Sequence, residues 1–284
     1  MEIIFRRFLD FIYEDNPFWD LTTEVLIPEN IDVKAAIVAK EDGLVACAED
    51  VASTLRRLGL DVKIIVGDGG HVKRGDIVME ITGNARTILS IERTMLNLLM
   101  HCSGIATTVR RLVNRVREVN SRVRIAATRK TLPGLRYFEK KAVLIGGGDT
   151  HRLSLSDAIL IKDNHIKIVG DVAKAVRIAR EKKSFIHKIE VEVTNASDAI
   201  AAAEAGADII MFDNMALEEI RRAIEELRKR GLRDRVLIEV SGGITEDNIV
   251  DYAKLDVDII SCGWITLSSR ALDMSLEIVE VLKK

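Results

Sequence analysis

An α/β protein whose C-terminal half carries a parallel sheet covered by helices is the fold class this sequence predicts, on three observations. Short β-branched runs alternate with helical segments from residue 123 onward. Those runs are almost uninterruptedly apolar, as strands buried on both faces must be. Nearly every run ends in charged residues or glycine, and parallel α/β folds gather such chemistry at the carboxyl ends of their strands.

Taken in order, the first segment, MEIIFRRFLDFIYED, reads as an amphipathic helix, because Arg6, Arg7 and Asp10 interrupt its apolar pattern. That is not the composition of a signal peptide, so the expected location is cytoplasmic. Residues 33–39 read as a strand, 48–58 as a helix ended by Gly59, and 61–66 as a second strand. The stretch GDGGHVKRGDIVMEITG reads as a plain β-hairpin hinged at Arg74-Gly75-Asp76. It echoes lipoyl and biotinyl carrier hairpins but has no lysine at the turn. A helical pattern runs from about Ala85 to Val119, with a break expected at Ser103-Gly104.

The six β-branched runs are 123–128, 158–162, 188–193, 208–212, 236–242 and 258–263. Between them, 196–204 and 217–230 are helices closed by Gly206 and Gly231. Thr245 is the expected N-cap of a helix starting near Glu246. GADIIMF and DVDIISC resemble each other, a weak βα repeat. About six βα units fit either a small barrel or an open doubly wound sheet, and periodicity does not choose between them.

Composition narrows the function classes. With 48% hydrophobic residues in 284, the chain has ample material for a core. Its 42 basic residues against 44 acidic ones leave a net charge of −2, which argues against broad binding to nucleic acid or an anionic membrane. Any positive site must be local. No apolar run approaches the ~20 residues of a membrane helix. Cys47, Cys102 and Cys262 are odd in number and lack CxxC spacing, so neither a disulfide framework nor a thiolate zinc site is expected.

The strand ends are where a local site would form. Strand 123–128 runs into Arg129-Lys130, and 158–162 into Lys162-Asp163-Asn164-His165. Strand 208–212 leads to Asp213-Asn214, 236–242 to Ser241-Gly242-Gly243, and the last to Gly263. An Arg-Lys pair after a strand is ordinarily a surface feature. Glu190 and Glu192 are harder to dismiss, because they share one face of an apolar strand and a buried carboxylate is costly unless paired. The glycines are either simple turns or, in the last two βα units, a phosphate cradle. The long connection after the first strand carries Arg136, His151 and Arg152 with Gly146-Gly147-Gly148, and its cations point to a small anion. Arg93, Asn97 and His101 form one polar line on the long helix, either satisfied at a contact or, through Arg93, reaching a ligand.

Together the motifs are specific. ERTMLNLLMHCSGIAT, TRKTLPGLRYFEKKAVLIGGGDTHRLSLSDAILIKDNHI, EVEV, FDN and SGGI resemble the quinolinate phosphoribosyltransferase family, as does DLTTEVLIP near the N-terminus. The resemblance covers essentially the whole chain. It implies an N-terminal α/β (α+β) domain, residues 1–105, and an open, incomplete parallel α/β barrel of about six strands, residues 106–266. A C-terminal helix over 267–284 would pack back on the first domain. It further implies decarboxylating phosphoribosyl transfer to quinolinate in NAD biosynthesis, and a homodimer with room for a hexamer.

By the same resemblance quinolinate is held by Arg129, His151, Arg152 and Lys162, with Arg93 contributed across the dimer interface. Lys130 faces phosphoribosyl pyrophosphate, towards which Lys162 is also placed. Glu192 and Asp213 hold the ribose and a Mg2+ ion, and Ser241, Gly242, Gly243 and Gly263 cradle the 5-phosphate. The chain departs from the family after Gly263, where Trp264 is bulky and Leu267 replaces a histidine. Three other readings compete with this one: a ModD-like relative, a Schiff-base aldolase using Lys162 or Lys130, and a phospho-ligand-binding module without catalysis.

Overall fold

A computed structural model describes residues 2–282. In chain order it contains α1 (Glu2–Asp15), α2 (Leu21–Leu26), β1 (Asp32–Ala39), β2 (Gly43–Leu44), α3 (Ala48–Arg57), β3 (Asp61–Ile64), β4 (His71–Val72), β5 (Ile77–Asn84) and α4 (Ala85–Val119). Then come β6 (Arg124–Ala126), α5 (Arg136–Gly146), β7 (Ile159–Ile161), α6 (Asp163–Val169), α7 (Val172–Lys182), β8 (Ile189–Val193) and α8 (Ala196–Ala205). The chain closes with β9 (Ile209–Asp213), α9 (Leu217–Lys229), β10 (Leu237–Ser241), α10 (Ile249–Ala253), β11 (Ile259–Ser261), α11 (Trp264–Leu267) and β12 (Met274–Val281).

These elements form two compact units. The first comprises residues 1–109, 132–147 and 268–284, and the second 110–131 and 148–267. The boundary expected at 105/106 thus falls within α4, and the segment carrying α5 belongs with the first unit.

The first unit is built on a four-stranded antiparallel sheet in the order β12-β1-β5-β3. Three expectations are corrected here. The C-terminal segment is not a helix: Met274–Val281 is a strand paired antiparallel to β1, from Val33↔Val281 to Ala39↔Met274. MSLEI alternates with a period of two, as a strand does, and the alternation slips at Val279, where the register against β1 shifts. The GDGG segment is not a hairpin either. β4 pairs with β2, whereas β5 lies between β1 and β3, so neighbours in sequence take partners elsewhere. Third, α4 runs unbroken for 35 residues through Ser103-Gly104. Gly104 is there for space: a Cβ on it would lie 2.1 Å from the Arg270 carbonyl oxygen.

The second unit is a six-stranded parallel sheet in the order β6-β11-β10-β9-β8-β7, with connecting helices between successive strands. Chain order is circular apart from one missing pairing, β6 to β7, so the barrel is open there. Residues such as Val191, Val193, Ile210, Phe212, Ile238 and Val240 are buried, as a sheet covered by helices requires. The helix expected from Glu246 begins instead at Ile249. Asn248 accounts for the delay, because its side chain accepts the Thr245 N–H at 2.7 Å and donates to the Gly243 carbonyl at 3.0 Å.

The weak sequence repeat has a mechanical meaning. Asp208 and Asp258 precede β9 and β11, and each carboxylate accepts an N–H from the first two residues of a neighbouring strand, Ile189 at 2.8 Å and Ile238 at 2.7 Å. Burial opposes the Asp208 charge, but the Ile189 amide together with Lys188 and Lys183 holds its pKa below the ordinary carboxylate value. A depressed folded-state pKa contributes stability above the unfolded value and loses it as pH falls through the folded one. Asp208→Asn is therefore expected to cost about 2 kcal/mol near neutrality. The difference from the native chain should close as denaturation is repeated below the carboxylate range; a gap that persists in acid would refute the assignment.

Candidate active site

The carboxyl ends of the parallel strands surround a cavity of about 460 Å³. Its wall includes Arg129 and Lys130 after β6, His151 and Arg152 from the long connection, and Lys162 after β7. Glu192 of β8, Asp213 and Asn214 at the end of β9, and Glu239, Ser241, Gly242 and Gly243 of β10 complete the polar part. Ten of the eleven barrel residues expected at the site are thus in one lining, all from the second unit. Gly263 is not in it, but it bounds Lys130: a Cβ there would stand 2.6 Å from Lys130 Cδ. Arg93 is exposed on α4 in the first unit.

Each cation is fixed by local structure. The Lys130 peptide is pinned on both sides, its N–H donating to Thr128 Oγ1 at 3.0 Å and its carbonyl accepting from the Thr266 hydroxyl at 2.6 Å. Thr266 belongs to the segment that departs from the family pattern, so the one-turn α11 still supports the site. Lys162 opens α6, where its N–H donates to His165 Nδ1 at 2.9 Å, and its ammonium pairs with the Glu192 carboxylate. Arg129 buries its Nε without a protein hydrogen-bond partner. Burial and the adjacent Arg129 charge both depress the Arg152 pKa. Two crowded guanidiniums, one with an unsatisfied donor, have the chemistry to take up an anion.

Under the cations lies a buried acidic floor. Glu190 and Glu239 are 1% and 0% exposed. They meet at His151 Nε2, at 3.1 and 3.4 Å. Burial raises the Glu190 pKa and the Glu239 charge adds to the rise, with His151 opposing it. For His151 two influences compete. Burial resists a charge on the ring while the two carboxylates outweigh it and pull the pKa up to about 10. Against this, the Arg152 N–H donates to Nδ1 at 2.8 Å. Two protons cannot share a 2.8 Å N···N line, so the backbone contact decides. The ring therefore carries a proton on Nε2, facing the two carboxylates, and offers Nδ1 as an acceptor.

Glu239 escaped the sequence reading, and Asn214 stood in it at a strand end without a role. Glu239 sits in VLIEVSG as Glu190 sits in KIEVEV, an acid at an inward position of an apolar strand, and that pattern was the available signal. Asn214 follows Asp213 in a left-handed turn (φ 53°). Its N–H donates to the Ser241 carbonyl at 3.0 Å and its Nδ2 to Asp213 Oδ2 at 2.9 Å. Its Oδ1 lies 2.4 Å from where a Gly242 Cβ would be, so Gly242 (φ +82°) answers both a close approach and a backbone demand.

The polar line on α4 divides. His101 Nε2 pairs with the fully buried Glu139 at 2.8 Å, a structural contact within the first unit. Arg93 and Asn97 are exposed. All three cysteines are free and buried. Among the described residues no helix is long and apolar enough to cross a membrane.

An open parallel α/β barrel with a cationic pocket backed by carboxylates places the protein among barrel enzymes acting on small anions. The chain belongs to the quinolinate phosphoribosyltransferase family: residues 20–103 match its N-terminal domain and 105–277 its C-terminal domain. A relative from Methanothermobacter thermautotrophicus, called a probable nicotinate-nucleotide pyrophosphorylase (carboxylating), is 51% identical, with 95% of this chain and 96% of the relative covered. The human nicotinate-nucleotide pyrophosphorylase (carboxylating) is 37% identical, over 86% of this chain and 82% of its own. Among solved structures, NadC from Streptococcus pyogenes superposes with a TM-score of 0.89 at 38% identity, covering 97% and 96% of the two chains.

Proposed function

We propose that this protein transfers the phosphoribosyl group of phosphoribosyl pyrophosphate to the nitrogen of quinolinate with loss of CO2. The products are nicotinate mononucleotide and pyrophosphate, a step of NAD biosynthesis. The observation that carries this reading is the pocket in which Arg129, Lys130, Arg152 and Lys162 face Glu192 and Asp213 at the strand ends of a family barrel.

Quinolinate is a dicarboxylate. Arg129 and Arg152 supply two planar forks for it, and Lys162 a point charge. Attack of the pyridine nitrogen on ribose C1 develops positive charge as pyrophosphate departs, and the carboxylates of Glu192 and Asp213 are the groups placed to stabilise it. Lys130 meets the negative leaving group. Ser241, Gly242 and Gly243 offer a side-chain-free rim to the 5-phosphate, with Gly263 keeping Lys130 in place. Once the nitrogen is alkylated, its positive charge stabilises the electron pair left at C2 when the 2-carboxylate leaves as CO2, and a proton from solvent taken up at C2 completes nicotinate mononucleotide. No nucleophile is required, and the Lys162 ammonium, paired with Glu192, is not set up as a Schiff-base amine.

Glu192 and Asp213 are hard oxygen donors on adjacent strands facing one cavity, a set that suits Mg2+ entering with the substrate pyrophosphate. The ion would neutralise charge building on the leaving group. Arg93, exposed on α4, is assigned to the pocket of a partner in a homodimer, and the location is read as cytoplasmic.

Purified protein is expected to release CO2 and form nicotinate mononucleotide only when quinolinate, phosphoribosyl pyrophosphate and Mg2+ are all supplied. Borohydride should trap no adduct. Mixing Arg93→Ala chains with Lys162→Ala chains should restore part of the activity that each lacks alone, because one pocket of each mixed dimer is then intact. No recovery despite verified mixing would place Arg93 outside the reaction or within its own chain.

A further inference from the structure

We propose that His151 is a positioning residue for Arg152, clamped below by Glu190 and Glu239 and acting on the anionic substrate through the Arg152 backbone rather than by its own ring. This rests on the reading of the pocket as a quinolinate site. Both ring nitrogens are already used. Nε2 faces the two buried carboxylates at 3.1 and 3.4 Å, and Nδ1 receives the Arg152 N–H at 2.8 Å. A donor engaged with Glu190, with the Glu239 charge behind it, and an acceptor engaged with an amide leave the imidazole nothing to offer a dianion.

The backbone is consistent with a device for aiming the next residue. His151 has φ 52°, a left-handed conformation that L side chains rarely adopt without compensation. Its N–H donates to Asp149 Oδ1 at 2.8 Å, and Asp149 is itself bonded to β6, its N–H to the Ile125 carbonyl at 2.8 Å and its carbonyl to the Ala127 N–H at 2.9 Å. The turn is therefore tied to the sheet at Asp149 and to the pocket floor through the ring. Arg152 emerges from the far end of that turn. Unsatisfied oxygens remain on both floor carboxylates, Oε1 of Glu190 and both oxygens of Glu239 lacking a hydrogen-bond partner among the described residues. Such a floor is costly to bury for stability alone, and holding the ring is the use the geometry offers for it.

The test is a double-mutant cycle on quinolinate affinity, measured by calorimetry on the intact protein, with the KM for phosphoribosyl pyrophosphate as a second readout. His151→Ala is expected to weaken quinolinate binding roughly 10-fold, and Arg152→Ala roughly 100-fold. The double variant should be no more than about 2-fold weaker than Arg152→Ala, because the ring acts through the arginine. Asparagine keeps an acceptor near the Nδ1 position and tolerates the left-handed backbone. His151→Asn should therefore recover to within about 3-fold of native affinity, and it keeps the proposal testable if the alanine variant does not fold. The KM for phosphoribosyl pyrophosphate should stay unchanged in all of them. Losses that multiply in the double variant, or equal losses in His151→Asn and His151→Ala, would mean that the imidazole touches the substrate and would overturn the proposal. Failure of the native protein to bind quinolinate would instead sink the functional reading.

Discussion

Arg129→Ala and Arg152→Ala should each raise the Kd for quinolinate by roughly 100-fold or more, about 3 kcal/mol, with no loss of folding. The expectation follows from the charge arrangement of the pocket. Burial and the neighbouring Arg129 charge together depress Arg152, and Arg129 Nε lacks a protein partner. A dianion relieves both costs at once, so each arginine contributes more to the complex than to the free protein. The Tm of either variant should thus equal or slightly exceed that of the native chain, the usual sign of a site maintained at the expense of stability. Calorimetric titration and a thermal melt check the two halves. Unchanged quinolinate affinity in both variants would remove the arginines from the site.

Gly104→Val should lower stability by at least about 3 kcal/mol and the Tm by roughly 5–10 °C. Intrinsic propensity argues the other way for Gly104→Ala, since replacing a mid-helix glycine with alanine normally gains about 1 kcal/mol. Contact distance decides. The Cβ of any residue at 104 would meet the Arg270 carbonyl oxygen at 2.1 Å and Ala271 Cα at 2.9 Å, backbone atoms that cannot swing aside. Gly104→Ala should therefore destabilise as well, by less than valine. Denaturant melts of the two variants settle the sign, and an alanine variant more stable than native would show that the C-terminal segment yields.

The six parallel strands were readable because each is a compact apolar run whose partners follow from the βα rhythm, and observed bounds differ from expected ones by at most three residues at either end. The clustering of Arg129, Lys130, Lys162, Glu192 and Asp213 followed from one rule about strand ends. Legibility failed where pairing is remote. β12 lies against β1 across most of the chain, with Lys34 opposite Glu280, and nothing local announces that partner. β4 and β5 are adjacent yet pair elsewhere. Gly104 read as a helix break because its purpose resides in residues 270 and 271. Glu239 and Asn214 were visible as letters, but their roles depend on His151 and Gly242, which only the folded chain brings beside them.

The missing pairing between β6 and β7 has a bearing on solubility. A ring of strands that fails to close exposes two flanks of backbone donors and acceptors, the template on which a strand from another molecule could grow. Here each flanking strand is only three residues long. Asp149 further occupies the outer side of β6 through its bridge to Ala126. A visiting strand would find too few groups in a row to hold it, so the barrel can stay open without inviting its neighbours to polymerise.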